Sequence, residues 1–307
     1  MEQQPTRLTR ETSVNRMQMR APIWATQFAW VVLPITTGSA LADVFNSWSR
    51  APSIVSGVLL WGAWFAGLVA LLTLRPWGFT ALRVVAPAAA ALAIASAWSA
   101  PASTAAFAIA WSVLSMFGAL SSPVAHACAA STAYGPERRF PLRVPLTLLA
   151  GPLPISVVLI IAGIASGPLL LANGDIVAGV IALVLGVPIV GVLARALAGL
   201  DHRWIVLVPA GLVVVDPLTF PDPVLLPREQ IESVHRRAAS SPPSRPSESE
   251  ILVGGRGPIV IACRESGSFL RRAGRGRVTL DADRLQVTPV RPAVVLAAAG
   301  AHRISVR

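Results

Sequence analysis

The sequence predicts an α-helical integral membrane bundle of about six transmembrane helices, followed by a small β-rich cytoplasmic domain. Three observations lead there. The chain is 54% apolar and 13% charged over 307 residues, outside the range of ordinary soluble domains. Apolar runs of spanning length recur through its first two hundred residues, and a ~30 Å bilayer core needs about 20 such residues as helix. Charge then changes abruptly: residues 21–200 carry seven Arg and three acidic residues, whereas residues 201–307 carry fifteen Arg and ten acidic residues. The expected organisation is a basic cytoplasmic tail (1–20), a transmembrane domain (21–200) and a β-rich domain (201–307) with a flexible polar loop at 238–250.

The runs fall at Ala21–Phe45, Pro52–Leu74, Trp77–Trp98, Ala102–Leu120, Val144–Ala165 and Ile176–Leu197. Trp77 and Trp98 bracket the third as interfacial anchors, and Arg83 near its start can reach back to the headgroups. The fourth run has an open end, extending through Pro123 towards Ala133 as a kinked helix or an interfacial segment. Pro154 and Pro188 each remove a backbone hydrogen bond and should bend the fifth and sixth helices. Gly151-Pro152-Leu153-Pro154 and Gly167-Pro168 read as kinks or helix ends. Gly62, Ala66 and Ala70 lie on one helical face and predict close packing within the bundle, with self-association as the sharper alternative.

Arginine sets the orientation. One side holds Arg7, Arg10, Arg16, Arg20, Arg75, Arg83, Arg138, Arg139, Arg143, Arg195 and Arg203, and the other holds Arg50 alone. Eleven against one is a positive-inside pattern that puts both termini in the cytoplasm and the protein in a cell inner membrane. A rival reading takes Gly38–Ala42 as a signal-peptidase site, which would remove the first span.

Composition also excludes chemistry. All 26 basic residues are Arg, the habit of a GC-rich, actinobacterial-type genome. A P-loop lysine, a Schiff-base lysine and a Ser-x-x-Lys nucleophile are therefore impossible. The middle of every span lacks charged residues, Asp43, Arg83, His126 and Arg195 lying near the interfaces, which argues against ion-coupled transport. Cys128 and Cys263 are read as small buried apolar residues. The histidines (His126, His202, His235, His302) show no metal-ligand spacing, so no cofactor or metal is expected.

Beyond residue 200 short β-like segments alternate with turns. Trp204–Val208 and Gly211–Val215 make a hairpin. Val224–Leu226, Ile231–Val234, Ile251–Val253 and Pro258–Ala262 are further strands. Arg277–Leu280 and Leu285–Val290 are expected to pair through a turn at Asp281-Ala282-Asp283-Arg284, and Pro292 opens a terminal helix. Six or seven strands, the Trp-Ile-Val-Leu-Val…Gly-Leu-Val-Val-Val hairpin and a final helix resemble the bacterial pleckstrin-homology-like domains attached to membrane proteins, over residues ~201–307. The resemblance implies an interaction or scaffold module without catalytic residues.

The basic stretch Leu270–Arg277 supplies the candidate contact residues Arg271, Arg272, Arg275 and Arg277, for anionic lipid headgroups or a protein partner; its bland alternative is a solvated loop. A tail net charge of +5 and few aromatic residues argue against nucleic acid. The expected function is a non-enzymatic membrane scaffold or regulator. A transporter or lipid-handling protein using the kinked fifth and sixth helices is the alternative. An enzyme would need His126, Tyr134, Glu137 and Arg138 to converge in one pocket.

Overall fold

The computed structural model describes residues 5–45, 47–237, 249–274 and 276–307, with the side chains of 5–19 and of Asp43 outside that description. The polar stretch 238–248, Arg275 and the side chains of Arg7, Arg10 and Arg16 thus lie outside the described residues. Two compact units emerge: residues 1–127 with 154–195, and residues 128–153 with 196–307.

The first unit is helical. Helices α2 (Arg50–Thr73), α3 (Pro76–Ser96), α4 (Ala102–Ala119), α7 (Pro152–Ala172) and α8 (Ile176–Asp201) are each long and apolar enough to cross a membrane. The run 21–45 lies within the 41-residue helix α1 (Pro5–Phe45). The two most apolar helices bury least, with 17% of the most apolar stretch of α7 and 11% of that of α8 buried. Ile155, Val177, Val184 and Val192 are therefore exposed, which is stable where lipid and not water surrounds the helix.

Packing among α1–α4 depends on small residues. Ala40, Ala93 and Ala108 form a buried cluster where α1, α3 and α4 meet, and Ala90 and Ala86 are buried about one and two turns before Ala93. The expected packing face of α2 is corrected. Gly62 and Ala66 are exposed, while Gly67 and Ala70 are buried. The reason is Trp30, whose ring lies against Gly67 so closely that a Cβ there would collide with it.

One proline expectation also changes. Pro154 is the third residue of α7, which begins at Pro152 after the short helix α6 (Leu146–Ala150). A first-turn proline removes no helical bond and so bends nothing. Gly167-Pro168 lies inside α7 and does not end it. The fourth run ends at Ala119, and a separate nine-residue helix, α5 (Ser122–Ala130), follows.

Among the described residues, the second unit contains eight strands, the short helix α6 and helix α9 (Pro292–Ala301). An antiparallel meander is formed by β1 (Arg138–Pro141), β2 (Trp204–Val208), β3 (Gly211–Val215) and β4 (Val224–Pro227). The second sheet runs β5 (Ile231–Arg236), β7 (Ile259–Ala273), β8 (Gly276–Val287), β6 (Glu250–Val253), with β6 parallel to β8. Both sheets and α9 share one core that includes Ile205, Leu207, Leu212, Val214, Ile261, Leu285 and Val295. Alternate residues of β2, Trp204 and Val206, pack on its other face with Ala129. Burial on both faces explains why this strand reads as an unbroken apolar run.

Strand β1 comes from the segment between α5 and α6. Its Phe140 and the following Leu142 enter the common core. Arg143 N–H donates to the Thr288 carbonyl and Val290 N–H to the Pro141 carbonyl, at 2.7 and 2.9 Å. The segment thus joins β2 on one side and the end of β8 on the other.

The expected turn at Asp281–Arg284 is also corrected: β8 runs straight through it. The chain reverses instead between the paired residues Ala273 and Gly276. Gly274 has φ +59°, the left-handed conformation that a two-residue hairpin loop demands.

Candidate functional site

The basic stretch 270–277 is the tip of the β7–β8 ribbon. Register pairs Leu270 with Thr279, Arg271 with Val278 and Arg272 with Arg277. Directly opposed residues share a face, so Arg272 and Arg277 project from one side and Arg271 from the other. All described residues from 270 to 279 are exposed. Two contacts fix the ribbon: the Phe269 ring lies 6.4 Å from that of Phe220, and Arg272 N–H donates to the Thr219 carbonyl at 2.9 Å. Asp281, read as part of a turn, accepts a hydrogen bond from Ser268 across the ladder.

Behind Thr219 stands a buried ion pair that sequence reading missed. The side chains of Arg203 and Asp216 are both fully buried. Arg203 Nε donates to Asp216 Oδ1 at 2.6 Å and Nη2 to Oδ2 at 3.1 Å. Arg203 Nη1 donates to the Arg143 carbonyl at 2.9 Å. The Thr219 hydroxyl and Leu218 N–H complete the carboxylate shell at 2.7 and 3.2 Å. Gly254 is required beside it, because a Cβ there would collide with Arg203 Nη2. The available signal was an arginine directly before the most apolar strand of the tail, with Asp-Pro closing the same hairpin.

A polar hollow of about 440 Å³ opens on the second sheet beside Glu232, Ser233, His235, Cys263, Asp283 and Arg307. Its chemistry is unpromising. Burial, and secondarily the Asp283 carboxylate, pushes the Cys263 thiol up, which suppresses the nucleophilic thiolate. Burial with the Asp201 charge likewise pushes Cys128 up to about 12. Ser233 and His235 approach at 3.3 Å, and among the described residues no cluster of three His, Cys, Asp or Glu could hold a metal.

Of the residues an enzyme reading required, Tyr134, Glu137 and Arg138 lie in and beside the turn that leads into β1. Tyr134 is 88% exposed and Arg138 is exposed on β1. Glu137 accepts from Arg139 Nε at 2.5 Å and from Tyr134 N–H at 3.2 Å, the geometry of a turn. That Arg139 bond, together with charge attraction to the same side chain, holds the Glu137 carboxyl below its ordinary value against partial burial. Arg139 also stacks over Trp204 at 5.0 Å.

In the helical unit, polar groups join helices. Pro34 has no N–H, so the Trp30 carbonyl one turn earlier lacks its helical donor. Trp64 Nε1 donates to that carbonyl at 2.9 Å, and Trp30 Nε1 donates back to the Trp64 carbonyl at 2.9 Å. Gln27 Nε2 satisfies the Leu71 carbonyl in the last turn of α2, at 2.9 Å. Trp111 Nε1 reaches the Ala29 carbonyl at 2.8 Å, and Thr37 bonds Ser112 at 2.6 Å. Beside the Trp30–Trp64 pair an apolar groove of about 290 Å³ runs between α1, α2 and α3, lined by Leu33, Pro34, Phe45, Gly57, Trp61 and Leu92 among others. Comparison with protein-family models, with curated proteins and with solved structures finds no match to this chain.

Proposed function

We propose that this chain is a six-span protein of the cell inner membrane, with both termini cytoplasmic, whose pleckstrin-homology-like β unit is a non-enzymatic scaffold or regulatory module. The observation that carries the reading is the pairing of β1 with β2. Strand β1 precedes the α7–α8 hairpin and β2 follows it, so both ends of that hairpin emerge on one side of any membrane it crosses. That side is the arginine-rich one. Three chain passages, near residues 128, 153 and 196, enter the β unit. A module tied to the helical unit by three chain passages is read here as a membrane platform. Two four-stranded sheets and a terminal helix suit the pleckstrin-homology-like resemblance, and α1, joined to α2 and α4 by the bonds above, supplies the sixth span.

The test uses the full-length protein in its native membrane. Crosslinking and capture should recover a specific partner with wild type and lose it when the β unit is destabilised. Impermeant thiol reagents should reach Ser99→Cys from outside and Ala210→Cys only after the membrane is opened. Recovery of no specific partner, together with solute movement by the reconstituted protein, would overturn the reading.

The groove between α1, α2 and α3 favours a second reading, lipid handling. It lies away from the fifth and sixth helices where sequence reading sought a pathway. Gly57 lines it with open space at its Cβ position. Under this reading a lipid retained through purification is lost on Gly57→Phe.

A further inference from the structure

We propose that the β7–β8 ribbon is an anionic-lipid contact: Arg271, Arg272 and Arg277 bind phosphate-bearing headgroups of an anionic membrane surface. This rests on the membrane-platform reading and names the surface with which the platform engages.

Four observations converge. The first is charge: four arginines fall within residues 271–277 and no acidic residue occurs between Glu265 and Asp281. The second is availability. Arg271, Arg272 and Arg277 are exposed, and every ion pair seen in the described part of the β unit lies elsewhere, at Arg139, Arg203, Arg284 and Arg307. The third is architecture. From Gly267 to Ala273 the ribbon extends about 23 Å at ~3.3 Å per residue, with neither face of its tip covered. A two-stranded ribbon exposed on both faces is marginal by itself, yet this one is fixed through Phe269 and the Arg272–Thr219 bond. The fourth is connection: only His202 and Arg203 separate the end of the apolar helix α8 from the start of β2.

The chemistry selects among partners. Leu270 and Val278 are 38% and 47% exposed beside the arginines, a mixture suited to the headgroup boundary. Headgroup contact leaves the guanidinium groups partly hydrated, whereas a protein groove would desolvate them from both faces. No aromatic residue lies between 270 and 280, so bases have nothing to stack on.

The test places an environment-sensitive fluorophore on Ala273→Cys in the full-length protein, reconstituted into nanodiscs. The native thiols are buried, and unlabelled wild type gives the background. Discs containing phosphatidylglycerol should shift emission to the blue and raise its intensity, and purely zwitterionic discs should not. Each arginine contributes about a fivefold gain in occupancy near an anionic surface. Arg271→Gln with Arg272→Gln and Arg277→Gln should therefore lower the docked-to-free ratio about 150-fold, and the triple Lys variant should retain it. Raising salt from about 0.05 to 0.5 M should reverse the shift.

Equal emission in anionic and neutral discs would overturn the proposal. So would a shift in neutral discs on adding glycerol phosphate, which would assign a soluble anion, or on adding an acidic protein, which would assign a protein partner. Capture of a partner by a protein whose ribbon ignores lipid would leave the platform reading standing and remove only this inference.

Discussion

Replacing Arg203 by Met tests the account of how the β unit is assembled. The substitution keeps the apolar stem and deletes three hydrogen bonds, two to Asp216 and one to the Arg143 carbonyl. Asp216 would remain fully buried with only Thr219 and Leu218 as donors. Stranding a buried charge costs about 3–5 kcal/mol, against a total folding stability of ~5–15 kcal/mol for a typical domain. The unit should stay folded but open far more often. At about 1.4 kcal/mol per tenfold change, amide exchange in β2 and β3 should accelerate by roughly two to four decades. Peptides covering β1 should lose the most protection, because the Arg143 carbonyl loses its donor as well. Hydrogen-exchange mass spectrometry on the full-length protein reads each strand separately. The double variant Arg203→Met, Asp216→Leu removes both charges and should recover most of the loss. Acceleration below about tenfold, or a double variant no better than the single one, would refute the reasoning.

Other consequences can be measured directly. Trp64→Phe should destabilise the helical unit by more than the ~0.6 kcal/mol typical of an interhelical bond in a membrane, because Pro34 cannot satisfy the Trp30 carbonyl that it vacates. In a Pro34→Ala background the backbone N–H returns and the cost should shrink, so a double-mutant cycle by steric trapping should show strong coupling. Glu137 has a folded value below its ordinary 4.5, so its contribution is present above that value and is lost as pH falls through the depressed one. Exchange in the 134–139 turn should accelerate on acidification below about pH 4.5 in wild type and be flat over that range in Glu137→Gln. Cys128 and Cys263, both buried with raised thiols, should resist maleimide at pH 8 until denaturant is added; rapid labelling of either thiol in the folded protein would show that burial to be wrong.

Local patterns were readable where a single element satisfies them. Apolar length located α2, α3, α4 and α8 to within a few residues, and the Trp204–Val215 hairpin and the Pro292 helix form as their residues dictate. The ribbon was misread because Asp281-Ala282-Asp283 carries turn residues. Strand pairing overrides that preference, since Ala282 is fully buried in the core opposite Gly267. The arginines of the candidate site were visible in sequence, while their placement at the end of a ribbon depended on where the chain reverses.

The sequence by itself determined which stretches suit a membrane and which chemistries the absence of lysine forbids. These follow from residue type and spacing alone. Only the tertiary structure decided that residues 128–153 belong with the tail, that Arg203 is neutralised by Asp216, and that Trp64 supplies the hydrogen bond Pro34 removes. Each joins positions thirteen or more residues apart, and local preference carries no information about which distant group will satisfy a buried carbonyl or charge.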